Sequence, residues 1–307
     1  MRNLSLDYFK VFLAICIVLL HGGWLYDINE LIGFLHVNGF FRIAVPLFFI
    51  INGYYFYNIS SLSALKKWSI RVFLLYIIWT IIYLPLMVYE LSLSQIFIYL
   101  LAGYFILWYL VAMFMAGLLL FFLKQYSDKF LILLSFIFLF FGYLIQLIGS
   151  MAIFSGFMGE IFNWGPLHRN FIFFGFPFVT IGYLVKKNNI DLNFKKGILL
   201  SLLFLTLLLL ESFINFKFFN KAIDILLSLF FLCPVIFLVI KKIKVSGNNK
   251  DIANFSIFFF FIHAYVLFFL IYFFNIQNTL LCIFTVIISC FASLVLIQFN
   301  KKVKFLL

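Results

Sequence analysis

The chain has 307 residues, of which 66% are hydrophobic, 49 are phenylalanine and only 10% are charged. No water-soluble fold of this length can bury so much apolar surface, so a soluble globular protein is excluded. The net charge of +12 would suit a nucleic-acid partner, but the lysines lie in short breaks between apolar stretches, where lipid contact and membrane topology explain them. The sequence therefore predicts an integral membrane protein that contacts lipids and binds no nucleic acid.

Apolar stretches of membrane-spanning length recur along the whole chain. A bilayer core about 30 Å thick needs about 20 apolar residues per helix, which leaves almost nothing for a soluble domain. We therefore predict an all-α polytopic fold with about ten transmembrane helices, forming one membrane domain over residues 1–307 without an extramembrane domain. Gly103 is expected to break or tilt the long fourth span. The predicted spans are 7–26, 38–58, 69–90, 95–123, 129–150, 166–185, 197–215, 219–240, 252–275 and 278–299.

Positive charge falls on every second break between the predicted spans. Lysine and arginine are enriched in the short cytoplasmic loops of membrane proteins. The sequence therefore predicts that both chain termini face the cytoplasm. The cation-rich breaks carry Lys66, Lys67, Arg71, Lys124, Lys129, Lys186, Lys187, Lys195, Lys196, Lys241, Lys242, Lys244, Lys250, Lys301, Lys302 and Lys304, whereas the alternate breaks carry Asp27, Glu30, Glu90 and Glu160 with only Lys217 and Lys221.

The cysteines do not form a metal-binding pattern. All four lie inside predicted spans and lack CxxC spacing, so they are interpreted as small apolar packing residues. We therefore expect no metal ion. They are Cys16, Cys233, Cys282 and Cys290.

Three polar residues lie on one face of the first predicted span. Eleven residues turn an α-helix by about 1100°, or about 20° past three full turns, so Lys10 and His21 share a face and lie about 16 Å apart. Asp7 falls on the same face, one turn before Lys10. Such a stripe indicates a pathway or a long ligand. The alternative is that Asp7 and Lys10 form an interfacial pair, with Lys10 reaching the lipid headgroups, and that His21 bonds a neighbouring helix.

Other predicted spans also contain ionisable residues, whose placement in hydrocarbon costs free energy. Arg42 opens the second span, Arg169 opens the sixth and His263 lies midway along the ninth, while Asp224 lies near the start of the eighth. An arginine close to hydrocarbon needs an anion or a cage of carbonyl groups, and ionisable residues inside spans usually mark functional sites. We expect His21, Arg42, Arg169 and His263 to converge on one interior cavity.

Several of these residues stand in short motifs. They are Asp7, Lys10 and His21; Arg42, Pro46, Leu47, Phe48 and Phe49 with Asn52, Gly53 and Tyr54; Leu107, Trp108, Tyr109 and Leu110; the Arg169 segment ending at Gly182; and the His263 segment. With these motifs the chain resembles, over nearly its whole length, the bacterial integral-membrane acyltransferases of family three, which O-acylate cell-surface glycans. The sequence departs from the family pattern at Lys10, where arginine is usual, at Asn52, where serine is common, and at Trp68, where the first of two basic residues is expected.

The resemblance implies an enzyme of the bacterial inner membrane that transfers acyl groups other than aminoacyl groups. The expected donor is cytoplasmic acyl-CoA, by default acetyl-CoA, and the expected acceptor is a hydroxyl of a surface polysaccharide or lipid-linked saccharide. No metal is implied. The site residues implied are His21, Arg42 and Asp7 for catalysis, Lys10, Lys67 and Arg71 for the coenzyme phosphates, and Trp108, Arg169, His263 and Tyr54 for substrate.

Several alternatives stay open at the level of sequence. His21 would act either as a general base in direct transfer or through a covalent acyl-histidine. A bundle with buried histidine and arginine also suits a transporter of a small solute or acyl donor, or a sensor without turnover. Transport predicts uptake without ester formation, whereas an acyltransferase consumes acyl-CoA and produces an ester.

Overall fold

The structure is a computed structural model, and it describes residues 2–219, 221–248 and 250–303. Helices dominate the described residues, and one short antiparallel pair joins strand β1, Arg2–Asn3, to strand β2, Ser246–Gly247. Two 3-10 helices, Phe40–Ile43 and Phe105–Leu107, and one π-helix, Phe171–Gly175, complete the description. The α-helices are α1 Ser5–Gly22, α2 Glu30–Val37, α3 Ala44–Phe56, α4 Leu62–Glu90, α5 Leu93–Ala102, α6 Trp108–Leu123, α7 Asp128–Ser150, α8 Gly156–Asn163, α9 Gly165–His168, α10 Phe176–Lys187, α11 Phe194–Phe219, α12 Leu229–Lys242, α13 Asp251–Phe274 and α14 Asn278–Val303.

Eight helical stretches in the described part of the chain are long and apolar enough to cross a membrane. A helix satisfies its own backbone hydrogen bonds, which is why it can cross hydrocarbon. The all-α polytopic fold predicted from the sequence is therefore confirmed. The number of spans and the side on which the termini lie stay predictions.

Two predicted spans contain irregular segments instead of one long helix. Over 166–185 the chain forms α9, the π-helix and α10, because the Asn170 side chain accepts hydrogen bonds from the backbone N–H groups two and three residues later and starts a new helix. Over 219–240, α12 begins only at Leu229. A backbone N–H of the irregular stretch before α12 binds the Gln146 side chain instead of a helical carbonyl.

The fourth predicted span is interrupted at the expected glycine. Helix α5 ends at Ala102, and Gly103 has φ +88°, a left-handed value that glycine adopts without strain. A Cβ at Gly103 would also overlap the backbone of Trp108, where α6 begins. The predicted break at Gly103 is confirmed.

The first of two compact units contains both ends of the chain. In it, α1 packs against α13 and α14, and the 3-10 helix before α3 packs against α1, α2 and α11. Helices α1 and α14 approach closely at Gly22, where a Cβ would overlap the Cys282 side chain. The first unit comprises Met1–Phe48, Leu192–Ala222 and Phe231–Leu307, and the second comprises Phe49–Asp191 and Ile223–Phe230.

The second unit depends on a close approach between α3 and α10. Helix α10 also packs against α6 and α7, and the π-helix packs against all three of these. A Cβ at Gly53 would overlap the carbonyl oxygen of Val179, and a Cβ at Gly182 would overlap that of Ile50. The two glycines therefore let the backbones touch, a device common between membrane helices.

We predict that Gly53→Ala and Gly182→Ala each destabilise the protein by about 1–3 kcal/mol, because the added methyl group must push one backbone away from the other. Thermal denaturation in detergent should show a lower Tm for both variants. Leu203→Ala on α11, at a side chain that is 53% exposed, serves as the control and should change Tm little. An unchanged Tm for both glycine variants would contradict the close approach of α3 and α10.

Candidate active site

At the start of α1, Asp7 and Lys10 form an ion pair. The Lys10 Nζ lies 3.2 Å from the Asp7 Oδ1, and Asp7 is only 1% exposed. Burial makes this contact stronger than a surface pair because little water screens it. A phosphate that binds Lys10 would therefore compete with the Asp7 carboxylate.

Near the other end of α1, His21 lies beside His263 of α13. The ring centroids are 5.9 Å apart and the ring planes differ by 20°, so the two imidazoles are stacked. His21 is half-buried, whereas His263 is fully buried. The structure thus brings together two histidines that are far apart in the sequence. Of the two, His21 keeps part of its surface accessible.

The hydrogen bond of His263 fixes its tautomer. Its Nδ1 lies 2.6 Å from the carbonyl oxygen of Phe260, and an imidazole nitrogen must carry a proton to bond a carbonyl oxygen. In the neutral ring the lone pair is therefore on Nε2. That atom is buried and makes no hydrogen bond within the described residues. His263 consequently adds a fixed acceptor atom close to His21.

Arg42 lies in the 3-10 helix that packs against α1, and its guanidinium is held by neighbouring polar groups. The Arg42 Nη2 donates to the Asn38 Oδ1 at 2.6 Å, and the Asn38 Nδ2 donates to the Tyr26 hydroxyl at 2.8 Å. The Ser212 hydroxyl of α11 donates to the Asn38 carbonyl oxygen at 3.1 Å. Asn38 therefore orients Arg42 from a buried position, as residues around a catalytic group do.

Tyr26 lies in the turn after α1, outside the membrane-spanning helices. Burial raises the pKa of its hydroxyl, while the positive charge of Arg42 and the hydrogen bond from Asn38 act in the opposite direction. The hydroxyl is therefore protonated at neutral pH. The hydrogen-bonded series of Tyr26, Asn38 and Arg42 thus contains one charged group, the Arg42 guanidinium.

Trp108 and Tyr54, predicted to bind substrate, both lie in the second unit. The Trp108 ring packs in an aromatic cluster, 6.3 Å from the ring of Phe49 and 5.9 Å from that of Phe174. Tyr54, near the end of α3, lies with its ring 5.1 Å from the Lys186 Nζ, a cation–π contact. Both side chains are half-buried, so each keeps a surface on which an apolar or sugar ring can stack.

Lys67 and Arg71 lie one turn apart near the start of α4, and both side chains are exposed. Trp68, which stands where the family has a basic residue, instead packs between Phe56 and Phe114, with ring centroids 5.0 and 6.2 Å away. The position is thus a packing position in this chain. The exposed cations that remain suit a phosphate group or lipid headgroups.

Arg169 is paired with the carboxylate of Asp224, a contact that the sequence did not predict. The Arg169 Nε lies 3.2 Å from the Asp224 Oδ2, and the His168 Nε2 lies 3.3 Å from the same oxygen. All three residues belong to the second unit. His21, Arg42 and His263 belong to the first unit, so convergence of Arg169 with them stays a prediction. Asp224 itself could be found from the sequence, because it is an ionisable residue near the start of the eighth predicted span.

We compared the sequence with models of known protein families to identify the family of this chain. A model for an acyltransferase domain, that of acyltransferase family 3, matches residues 3–298. The chain belongs to acyltransferase family 3. Together with the apolar helices, this makes it a membrane acyltransferase. Comparisons with curated proteins and with solved structures gave no match.

In this family 3 acyltransferase, three motif positions have a direct structural explanation. Gly53 and Gly182 permit the contact between α3 and α10. Asn52, where serine is common in the family, donates through its Nδ2 to the Tyr109 hydroxyl at 2.5 Å. Gly53 and Asn52 of the second-span motif therefore serve the packing of the acyltransferase.

We predict that Asn38→Ala destabilises the acyltransferase by about 1–3 kcal/mol, because a buried amide that bonds both Arg42 and Tyr26 is lost. The matched control is Asn188→Ala, which removes an exposed hydrogen bond to Asp128 of 2.9 Å and should cost less than about 1 kcal/mol. Thermal denaturation in detergent measures both. Equal losses in the two variants would contradict the role given to Asn38.

Proposed function

We propose that this membrane acyltransferase is an O-acyltransferase, by default an O-acetyltransferase, of the bacterial inner membrane. It takes an acyl group from cytoplasmic acyl-CoA and transfers it to a hydroxyl of a surface polysaccharide or lipid-linked glycan. The observation that carries the proposal is the half-buried His21, stacked on His263 and lying on a helix that packs against the segment bearing Arg42. Family membership supports acyl transfer in general.

The reaction that these residues suit is attack of a sugar hydroxyl on the thioester carbonyl. His21 takes the hydroxyl proton as the C–O bond forms, and Arg42 stabilises the negative charge that develops on the carbonyl oxygen. The C–S bond then breaks, and the departing thiolate takes the proton from His21. The products are an ester and the free coenzyme thiol, so protons and charge balance without a metal ion.

His263 and Asp7 support this reaction in different ways. The Nε2 lone pair of His263 offers a second hydrogen-bond acceptor near His21, which suits the substrate-binding role that the family resemblance implies for His263. Asp7 holds Lys10 at the start of the polar face of α1. A coenzyme that runs along this face would pass from Lys10 to His21, about 16 Å along the helix axis.

The charge distribution supports binding of the coenzyme phosphates at the cytoplasmic face. Within the second unit, Lys67 and Arg71 lie near the start of α4, and the Lys187 Nζ lies 2.6 Å from the Asp128 Oδ1 at the start of α7. Coenzyme A carries several phosphate charges, which such cations neutralise. An excess of lysine also favours the cytoplasmic side.

We predict that His21→Ala abolishes transfer, with a loss of at least about 100-fold, because the proton acceptor is gone. The measurement is mass analysis of the surface glycan from a deletion strain complemented with wild type, with His21→Ala or with the control His36→Ala, which removes another half-buried histidine of the first unit. Wild type and His36→Ala should restore the ester. Restoration by His21→Ala would disprove the assignment of His21, and uptake of a solute without any ester would favour transport.

Arg42→Lys tests the guanidinium separately from its charge. Lysine keeps the positive charge but lacks the planar fork of donors, one of which reaches Asn38. We predict that kcat falls about tenfold or more, with a smaller change in KM for acetyl-CoA. The rate is followed as release of coenzyme thiol from purified protein in vesicles. A kcat equal to that of wild type would show that Arg42 needs only its charge.

The proposed topology predicts that a fluorescent protein fused after residue 307 folds and fluoresces in bacteria, while alkaline phosphatase fused there is inactive. Alkaline phosphatase fused after Phe154, between α7 and α8, should be active, because it folds only outside the cytoplasm. The opposite pattern at both positions would invert the topology and place the cation-rich ends outside.

A further inference from the structure

A second group of charged side chains lies in the second unit, apart from the residues to which the reaction is assigned. His168, Arg169 and Asp224 form it, and we name it the Asp224 cluster. One carboxylate oxygen, Oδ2, faces the His168 Nε2 at 3.3 Å and the Arg169 Nε at 3.2 Å. Resting on the proposed function, we propose that the Asp224 cluster binds hydroxyl groups of the saccharide acceptor.

The hydrogen bonds of the cluster define which atoms face a ligand. The His168 Nε2 must carry a proton to donate to a carboxylate, so the lone pair of the neutral ring is on Nδ1. That atom is buried and makes no hydrogen bond within the described residues. The side chain of Arg169 is 38% exposed and that of Asp224 is 14% exposed. A ligand therefore meets Arg169 and Asp224 first, with His168 behind them as a positioning residue.

Both chain segments that form the cluster are held in place by side-chain hydrogen bonds. The Gln146 Oε1 of α7 accepts from the Ile225 backbone N–H at 3.0 Å, beside Asp224. Beside Arg169, the Asn170 Oδ1 accepts from the backbone N–H groups of Ile172 and Phe173 in the π-helix, at 2.9 and 3.0 Å. π-Helices are rare and concentrate at functional sites. The cluster is thus built on fixed backbone, as ligand recognition requires.

The charges of the cluster select a neutral polar ligand. Asp224 repels an anion and Arg169 repels a cation, whereas a hydroxyl both donates to a carboxylate and accepts from a guanidinium. Neighbouring hydroxyls of a saccharide satisfy both groups together. Trp164, four residues before His168, is 43% exposed and offers the kind of aromatic surface on which an apolar sugar face packs. A saccharide therefore fits the cluster better than a phosphate does.

The position of the cluster along α7 agrees with this assignment. The Asp128–Lys187 pair lies at the start of α7, and Gln146, which holds the Asp224 segment, lies about 27 Å further along the helix. Lys187, one of the cations proposed for the coenzyme phosphates, pairs with Asp128 at the start of α7, whereas the Asp224 segment is bound by Gln146 near the other end of that helix. The proposed donor phosphates and the proposed acceptor would thus lie near different ends of α7.

The test uses purified full-length protein in vesicles, with acetyl-CoA and with surface glycan extracted from a deletion strain. Asp224→Asn keeps the shape of the side chain but removes its charge, and it should raise KM for the glycan about tenfold or more. KM for acetyl-CoA and the slow release of coenzyme thiol without glycan should be unchanged. Asp128→Asn, which breaks an ion pair at the other end of α7, is the control and should leave KM for the glycan unchanged.

Two further measurements make the result decisive. His168→Phe keeps a ring of similar size but has no donor to Asp224, so the carboxylate is no longer held in place and KM for the glycan should also rise; this variant replaces Asp224→Asn if that variant does not fold. Retention of labelled glycan by the protein in detergent is measured in parallel. If wild type retains glycan and the variants do not, the proposal stands even if no acyl transfer occurs. Equal KM and equal retention for wild type and a folded variant would overturn it.

Discussion

The structure depends on one constraint: a polar group placed among apolar helices must find a partner within the protein, because hydrocarbon offers none. Several charged residues for which the sequence suggested a function obey it. Asp7 pairs with Lys10, Arg42 bonds Asn38, and Arg169 pairs with Asp224. These polar groups therefore occur as small linked sets. This makes the sets both stable and oriented.

Orientation matters for the proposed chemistry because a base and an oxyanion stabiliser act only from fixed positions. Asn38 fixes Arg42 through its side chain, and its own carbonyl is bound by Ser212 of α11. His263 is fixed by its hydrogen bond to Phe260 and stacks on His21. Of the two stacked histidines, His21 is the half-buried one and His263 is fully buried. The first unit thus supplies a reachable imidazole within a rigid polar setting.

Helical arithmetic could predict the stripe of Asp7, Lys10 and His21 because the geometry of one helix determines it. The break at Gly103 was predictable for a similar local reason, since only glycine takes its positive φ without strain. The partner of Arg169 was not predictable, because its contact with Asp224 depends on which segments pack together, and no local pattern in the sequence encodes that. Asn38, the partner of Arg42, stands only four residues before it, so a local signal for that contact was present in the sequence.

The irregular stretch before α12 shows the same limit. Its sequence is largely apolar and favours a helix, yet Asp224 bonds Arg169 and the next backbone N–H bonds Gln146. These tertiary contacts outweigh the local helix propensity, which amounts to less than about 1 kcal/mol per residue. The predicted helix start was therefore too early. The same contacts that displaced the helix start create the Asp224 cluster, for which saccharide binding is proposed.

The central claim is that an acyl group leaves a cytoplasmic thioester and becomes an ester on a glycan across the membrane. Vesicles that hold extracted glycan inside, with the protein in their membrane and labelled acetyl-CoA added outside, test it most directly. We expect label in ester linkage on the trapped glycan, with an equal amount of coenzyme thiol released outside. Unlabelled glycan, with acetyl-CoA intact or with label in the lumen only as a free solute, would contradict it.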